Sequence, residues 1–104
     1  FILHDPDAPR PGGYTHWIVY NMPPDTKELL ENSKPPGIEG KNDDNNNAYI
    51  GPCPPDREHR YSFKLFALDD MLVGSIQTKS ELEQAMQGHI LEQAELIGRF
   101  PKAQ

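Results

Sequence analysis

The sequence predicts a mainly β fold, and three observations carry that prediction. Short runs of aromatic and β-branched residues recur along the chain, as in "FILH", "HWIVYNM" and "RYSFKLFAL". Eleven prolines, many beside Gly or Asp, interrupt them at turn positions. Only one segment, "TKSELEQAMQG", has the periodicity and end signals of a regular helix.

The elements follow in chain order. "FILH" is a short apolar run stopped by "DPDAPRPGG", which is dense in turn formers. Phe1 to Leu3 read as the end of a strand already under way, so the expectation is a chain that starts inside a longer protein, with an unpaired edge at "FIL" that favours self-association. "HWIVYNM" (His16 to Met22) reads as a strand buried on both faces. In "PPDTKELLE", Asp25 with Glu28 resembles a capping box, giving one or two helical turns. Residues 32 to 48 carry almost nothing to bury and read as an exposed loop, mobile around "KNDDNNN". "RYSFKLFAL" alternates, with Tyr61, Phe63, Leu65 and Ala67 on one face and Ser62 and Lys64 on the other. In the helix, Ser80 and Glu83 fit a capping box, Leu82, Ala85 and Met86 form the apolar stripe, and Gly88 suits the position just past the end. "HILEQAELIGRF" fits period two and a helical period equally well.

Size and charge narrow the function. A chain of 104 residues is expected to form one domain with a modest core. No run approaches the ~18 apolar residues of a membrane-spanning helix. A net charge of −6 argues against broad nucleic-acid binding, which needs a basic surface, but leaves room for a local cationic pocket. Cys53 is the only cysteine, which excludes an internal disulfide. A cytoplasmic location is favoured over a periplasmic one.

The residues able to do chemistry gather near turns: His4, Asp5 and Asp7 in "HDPDAP", His16 in "THW", and His59 and Arg60 in "DREHRY". If these turns meet at one rim of a sheet, two imidazoles, an aspartate and a proline-rich wall form a small polar pocket suited to an anion. The carboxylate would hold an imidazole protonated. Each residue also has a plainer reading. Asp5 and Asp7 suit Asx turns, His16 a satisfied strand residue, and His59 and Arg60 a strand start paired with a carboxylate. Trp17 suits the core, and Cys53 a small buried position among prolines. His89 follows the helix end, where a cation suits the dipole, and has no expected site role.

Three motifs in order, "DPDAP" (Asp5 to Pro9), "HW" followed by "IVYN" (His16 to Asn21), and "GPCPP" followed by "HRY" (Gly51 to Tyr61), resemble the phosphatidylethanolamine-binding protein family, which includes the Raf kinase inhibitor proteins. The tail "GHILEQAELIGRF" resembles the end of its bacterial and archaeal branch. The resemblance implies a large antiparallel β-sheet packed with a smaller sheet and short peripheral helices. It implies a pocket for phosphate, acetate or the phosphorylethanolamine head group, with no cofactor, and a protein partner such as a kinase, better attached to eukaryotic relatives. Carried over by residue, Asp5, His16, His59 and Tyr61 bind the ligand, Pro9 forms part of the wall, and Cys53 to Pro55 lend backbone and a proline to the rim. Asp7 and Arg60 brace the loops, and Trp17 and Gly51 support the motifs.

The chain departs from the family in three respects. The strands that the family's longer chains have before "DPDAP" are absent. The link from Pro55 to His59 is charged, "DRE", where many relatives have glycine, and the C-terminal helix of animal relatives is not found. Two competing readings stay open beside the binding module: a hydrolase with Cys53, His59 and Asp5 as a nucleophilic triad, and a metal site from His4, Asp5, His16 and His59.

Overall fold

Residues 1–26 and 34–102 are described by a computed structural model of the chain. Its elements are β1 (Ile2–Asp5), β2 (Tyr14–Tyr20), β3 (Ile38–Glu39), β4 (His59–Leu68), α1 (Lys79–Met86) and β5 (Ile90–Phe100). The strands form one antiparallel sheet in the order β3-β2-β1-β4-β5. The fold is therefore mainly β, as the sequence predicts. The smaller second sheet is not found among the described residues.

β1 lies at the centre, paired with β2 on one side and β4 on the other. Phe1 joins this pairing, since its amine donates to the Val19 carbonyl at 2.7 Å and its own carbonyl accepts from the Val19 N–H at 2.9 Å. The expectation of an unpaired edge at "FIL" is thus wrong: the free edges belong to β3 and β5. β1 is central because strands that come later in sequence, β2 and β4, close on both sides of it.

On one face, Ile2, Ile18 and Tyr20 pack against Leu72, Ile76, Leu82 and Met86, with Phe66, Leu68 and Ala85 around them. Leu82 is fully buried by this contact, which stabilises the fold by about 1.5–3 kcal/mol. This face corrects the reading of β4. The alternation is right, but Phe66 and Leu68 turn toward the core while Leu65 and Ala67 stay exposed. The reason is that α1 and its preceding loop cover only the Phe66 side.

The helix begins two residues before the expected cap. The Glu81 N–H donates to Thr78 Oγ1 at 3.1 Å, and Glu81 Oε1 accepts from the Thr78 N–H at 3.0 Å, closing a capping box. Glu83 instead pairs with Lys79 one turn back, at 3.2 Å. Gly88 follows the C-cap with φ +80°, a conformation that favours glycine, so its expected role stands. Asp69 accepts from His89 Nδ1 at 2.8 Å and holds the turn into β5. The ambiguous tail is a strand over its whole length, in register with β4 from His59↔Phe100 to Leu68↔Ile90.

The stretch from 34 to 48 is less idle than its composition suggests. Asn42 is buried, and its Oδ1 accepts from the Asp44 and Asn46 N–H groups at 2.9 and 3.1 Å. Asp43 Oδ2 accepts from the Thr15 N–H at 2.7 Å, while its own N–H donates back to the Thr15 carbonyl at 2.9 Å. Buried Asn42 thus shapes the polar loop from within, and Asp43 ties it to the start of β2. Lys27 to Ser33, including the Glu28 of the expected capping box, lie outside the described residues.

Candidate functional site

The site grows from the end of β1. Asp5 is the last strand residue and is 2% exposed. Its Oδ1 accepts from the Asp7 N–H at 2.8 Å, which is the Asx turn the sequence allows. Its Oδ2 accepts from His59 Nδ1 at 2.6 Å. The Asx turn and the contact with His59 therefore coexist on Asp5, one oxygen each. The turn can return this closely because of Gly13, whose φ is +78° and where a Cβ would stand 2.3 Å from the Asp5 carbonyl oxygen.

His59 opens β4 and is 1% exposed. Its Nε2 meets Asp56 Oδ1 at 2.6 Å, so both ring nitrogens face carboxylate oxygens. Ionised carboxylates only accept, so both nitrogens carry hydrogen and the ring is an imidazolium. Burial by itself would lower its pKa, and the hydrogen bonds to Asp5 and Asp56 outweigh that and raise it. The Asp56 carboxyl answers in the opposite sense. Desolvation would raise it, but its bond to His59 helps to hold it below the ordinary value.

Arg60 is the next residue and points the other way. Its Nε and Nη2 donate to Asp7 Oδ2 and Oδ1 at 2.9 and 2.8 Å, a bidentate pair, and its backbone N–H adds a third bond to Asp7 Oδ2 at 2.8 Å. The guanidinium holds the Asp7 carboxyl well below the usual carboxylate range.

His16 and Tyr61 complete the group. The Tyr61 ring lies 5.2 Å from the His16 ring, edge-on, and 6.4 Å from the His59 ring, with Phe100 edge-on at 5.0 Å. Tyr61 is fully buried. Burial first, and then the Asp5 charge, push its hydroxyl up to about 12. His16 Nδ1 lies 2.8 Å from the Ile50 carbonyl, which can only accept, so Nδ1 carries the hydrogen. No described residue bonds Nε2, and no buried side-chain nitrogen or oxygen among the described residues lacks a partner, so Nε2 reaches solvent. It can donate to an anion only when the ring is protonated.

The structure thus brings Asp5, His16, His59 and Tyr61 together, with Asp7 and Arg60 bracing the two turns. Other expected residues stand further out. Cys53 is exposed, not buried among the prolines; Pro54 takes the buried position beside it. Pro9 and Pro55 are exposed and Gly51 is half-buried. Trp17 is half-buried and not core, because its Nε1 donates to Glu39 Oε2 at 2.8 Å and its ring sits edge-on between Phe1 and Tyr49. Asp56 escaped the sequence reading, although an acid three residues before a histidine in a turn is within reach of it.

A Cys53 nucleophile needs a basic imidazole nitrogen, and both nitrogens of His59 are donors to carboxylates. Among the described residues, no three His, Cys, Asp or Glu side chains are grouped to hold a metal ion, and no helix is long and apolar enough to cross a membrane.

Comparison with known proteins agrees with this architecture. A profile of the phosphatidylethanolamine-binding protein family matches residues 1–101. A UPF0098 protein of Chlamydia pneumoniae is 43% identical over 98% of this chain and 71% of its own length. Another, from Archaeoglobus fulgidus, is 41% identical over 98% of this chain but only 37% of its own. The crystal structure of a putative phosphatidylethanolamine-binding protein homolog, CT736 of Chlamydia trachomatis, superposes with a TM-score of 0.91 at 42% identity, covering 97% of this chain and 69% of that one. E. coli YbcL superposes with a TM-score of 0.84 at 26% identity, over 99% of this chain and 70% of that one. From its first strand to the end of its last, the chain belongs to the phosphatidylethanolamine-binding protein family.

Proposed function

We propose that the group formed by Asp5, His16, His59 and Tyr61 binds a small oxyanion, with phosphate and the phosphorylethanolamine head group as the ligand class. The observation that carries this reading is the buried imidazolium of His59, which presents Nε2–H to a carboxylate oxygen at 2.6 Å while Asp5 holds its other side. A buried cation aimed at an oxyanion position is the main requirement of such a site. His16 adds a second donor once protonated, from a ring already oriented by Ile50. The prolines of "GPCPP" limit the backbone dihedrals of the loop above, so little conformational freedom remains to be lost on binding. The net charge of −6 favours a local pocket over diffuse anion attraction.

Titration with phosphorylethanolamine, followed by the imidazole resonances, tests this. The His16 and His59 signals are expected to move first, with His4 and His89 unmoved. An equal response of all four histidines would reduce the effect to nonspecific ion binding. Affinity is also expected to fall as pH rises, because the imidazolium donors are lost. Constant affinity across that rise would remove the histidines from the site.

A further inference from the structure

We infer that Asp56 is an internal stand-in for the ligand, a carboxylate that occupies the His59 Nε2–H position until an incoming oxyanion takes it over. This rests on the anion-pocket reading above and adds to it a rule for which anions enter.

The two carboxylates on His59 are unequal. Asp5 belongs to the central strand, has a side chain 3% exposed, and spends its second oxygen on the Asp7 N–H. Asp56 comes from the turn before β4 and has a side chain 44% exposed. Apart from His59, its carboxylate meets only local backbone N–H groups, its own and that of Arg57, among the described residues. Around it, the Arg57 side chain bonds only the neighbouring Glu58 carbonyl, at 3.2 Å, and Glu58 lies 3.7 Å from an exposed Arg99. Releasing Asp56 would break one hydrogen bond and move a surface side chain into water. Releasing Asp5 would break the centre of the sheet. The exchangeable position on His59 is therefore Nε2.

A tethered competitor sets a threshold for its rivals. Only Arg57 and Glu58 separate Asp56 from the ring it bonds, so its effective concentration there is in the millimolar range or above. A free monocarboxylate such as acetate offers His59 the same group that Asp56 already supplies, and gains nothing by exchange. A phosphate offers more oxygens. One can replace Asp56 on Nε2–H while another is free to meet protonated His16 Nε2. The dianion also replaces a single negative charge with two beside a buried cation. Asp56 thus sets a threshold that an oxyanion passes only with contacts beyond the one Asp56 already makes, which phosphate has and a monocarboxylate lacks.

The test is calorimetric titration of the wild-type chain, Asp56→Asn and Asp56→Ala with inorganic phosphate and with acetate. Removing the competing charge is expected to tighten phosphate binding about tenfold, the scale of one charge-assisted hydrogen bond, and to tighten acetate by a similar factor, so that acetate, too weak to register on the wild-type chain, becomes measurable. Wild type binding phosphate with Asp56→Ala binding it equally or more weakly overturns the inference and leaves the pocket intact. Binding of phosphate by neither chain overturns the pocket reading and the inference with it. A second measurement needs no variant: the carboxyl carbon resonance of Asp56 in the unmodified protein is expected to move toward that of a free aspartate as phosphate saturates the site. A resonance that stays fixed while His59 responds overturns the exchange.

Discussion

Strand β4 runs through two regions that could hardly differ more. At its start, His59, Arg60 and Ser62 each find a carboxylate: Asp5 and Asp56, Asp7, and Glu95 Oε2 at 2.5 Å. Towards its end, Leu65 is half in water, and the facing part of β5 leaves Ile90 and Leu91 exposed at the edge of the sheet. The same strand, with the same alternation, is locked at one end and, on the face away from α1, bare at the other. The difference lies in what the rest of the chain brings to each end. Two loops converge on the first, and among the described residues nothing covers Leu65 and Leu91. Alternation decides which way a side chain points, and burial needs a second layer.

The sharpest way to break the comparison is to cut the wiring at the first end. Asp5→Ala is expected to cost about 3 kcal/mol or more, because a buried imidazolium is left without its inner partner. Urea unfolding measures this, and a loss under about 1 kcal/mol would mean that water or Asp56 satisfies the ring and that the wiring is not what holds this end.

A smaller effect follows from pH. His59 has a raised pKa in the folded chain, so its contribution is fully present below the unfolded value of about 6.5 and is lost as pH rises through the folded one. Asp7 has a lowered pKa, so its contribution is present above the ordinary carboxylate value and is lost as pH falls toward the folded one. Stability is therefore expected to decline on both the alkaline and the acid side, with His59→Gln removing only the alkaline decline. Thermal melting across the range checks this. An alkaline decline that persists in His59→Gln would assign it to another group.

The smallest effect belongs to the bare end. Leu91 is 66% exposed, and Leu91→Lys is expected to change stability by less than about 0.5 kcal/mol. A loss of several kcal/mol, measured in the same urea series, would show that this face is covered in solution and that the contrast between the two ends of β4 is false.

How much of this was legible beforehand depends on whether the partner of each residue was local. The helix was legible, since Leu82, Ala85 and Met86 share a stripe within the segment itself, yet its cap was misplaced because Thr78–Glu81 and Ser80–Glu83 have the same spacing. Only the capture of the Gln77 and Thr78 N–H groups by Glu81 decides between them. β5 was ambiguous because its periodicity fits two structures, and its strand character comes from β4, some thirty residues back. At the site, Asp5, His16 and His59 could be named as candidates from their turns and from the family motifs. Asp56 could not, because its bond depends on which way the His59 ring faces, and Asp5 fixes that from 54 residues away. Asn42 was hidden by its neighbours: one buried amide in a run of polar residues looks like the rest.

The two carboxylates of the first turn and the two cations that open β4 mesh like teeth. Asp5 takes His59 on the inside and Asp7 takes Arg60 on the outside, two residues apart on one side and adjacent on the other. A slip of one residue would put the guanidinium against buried Asp5 and send the imidazole into water, so the strands can engage in only one position. The spacing inside each pair is therefore fixed, as is the step from Asp56 to His59, while the loops beyond, from Ala8 to Pro11 and from Pro52 to Pro55, carry no such constraint. The chain can lengthen or shorten those loops and reshape the mouth of the pocket without disturbing its floor.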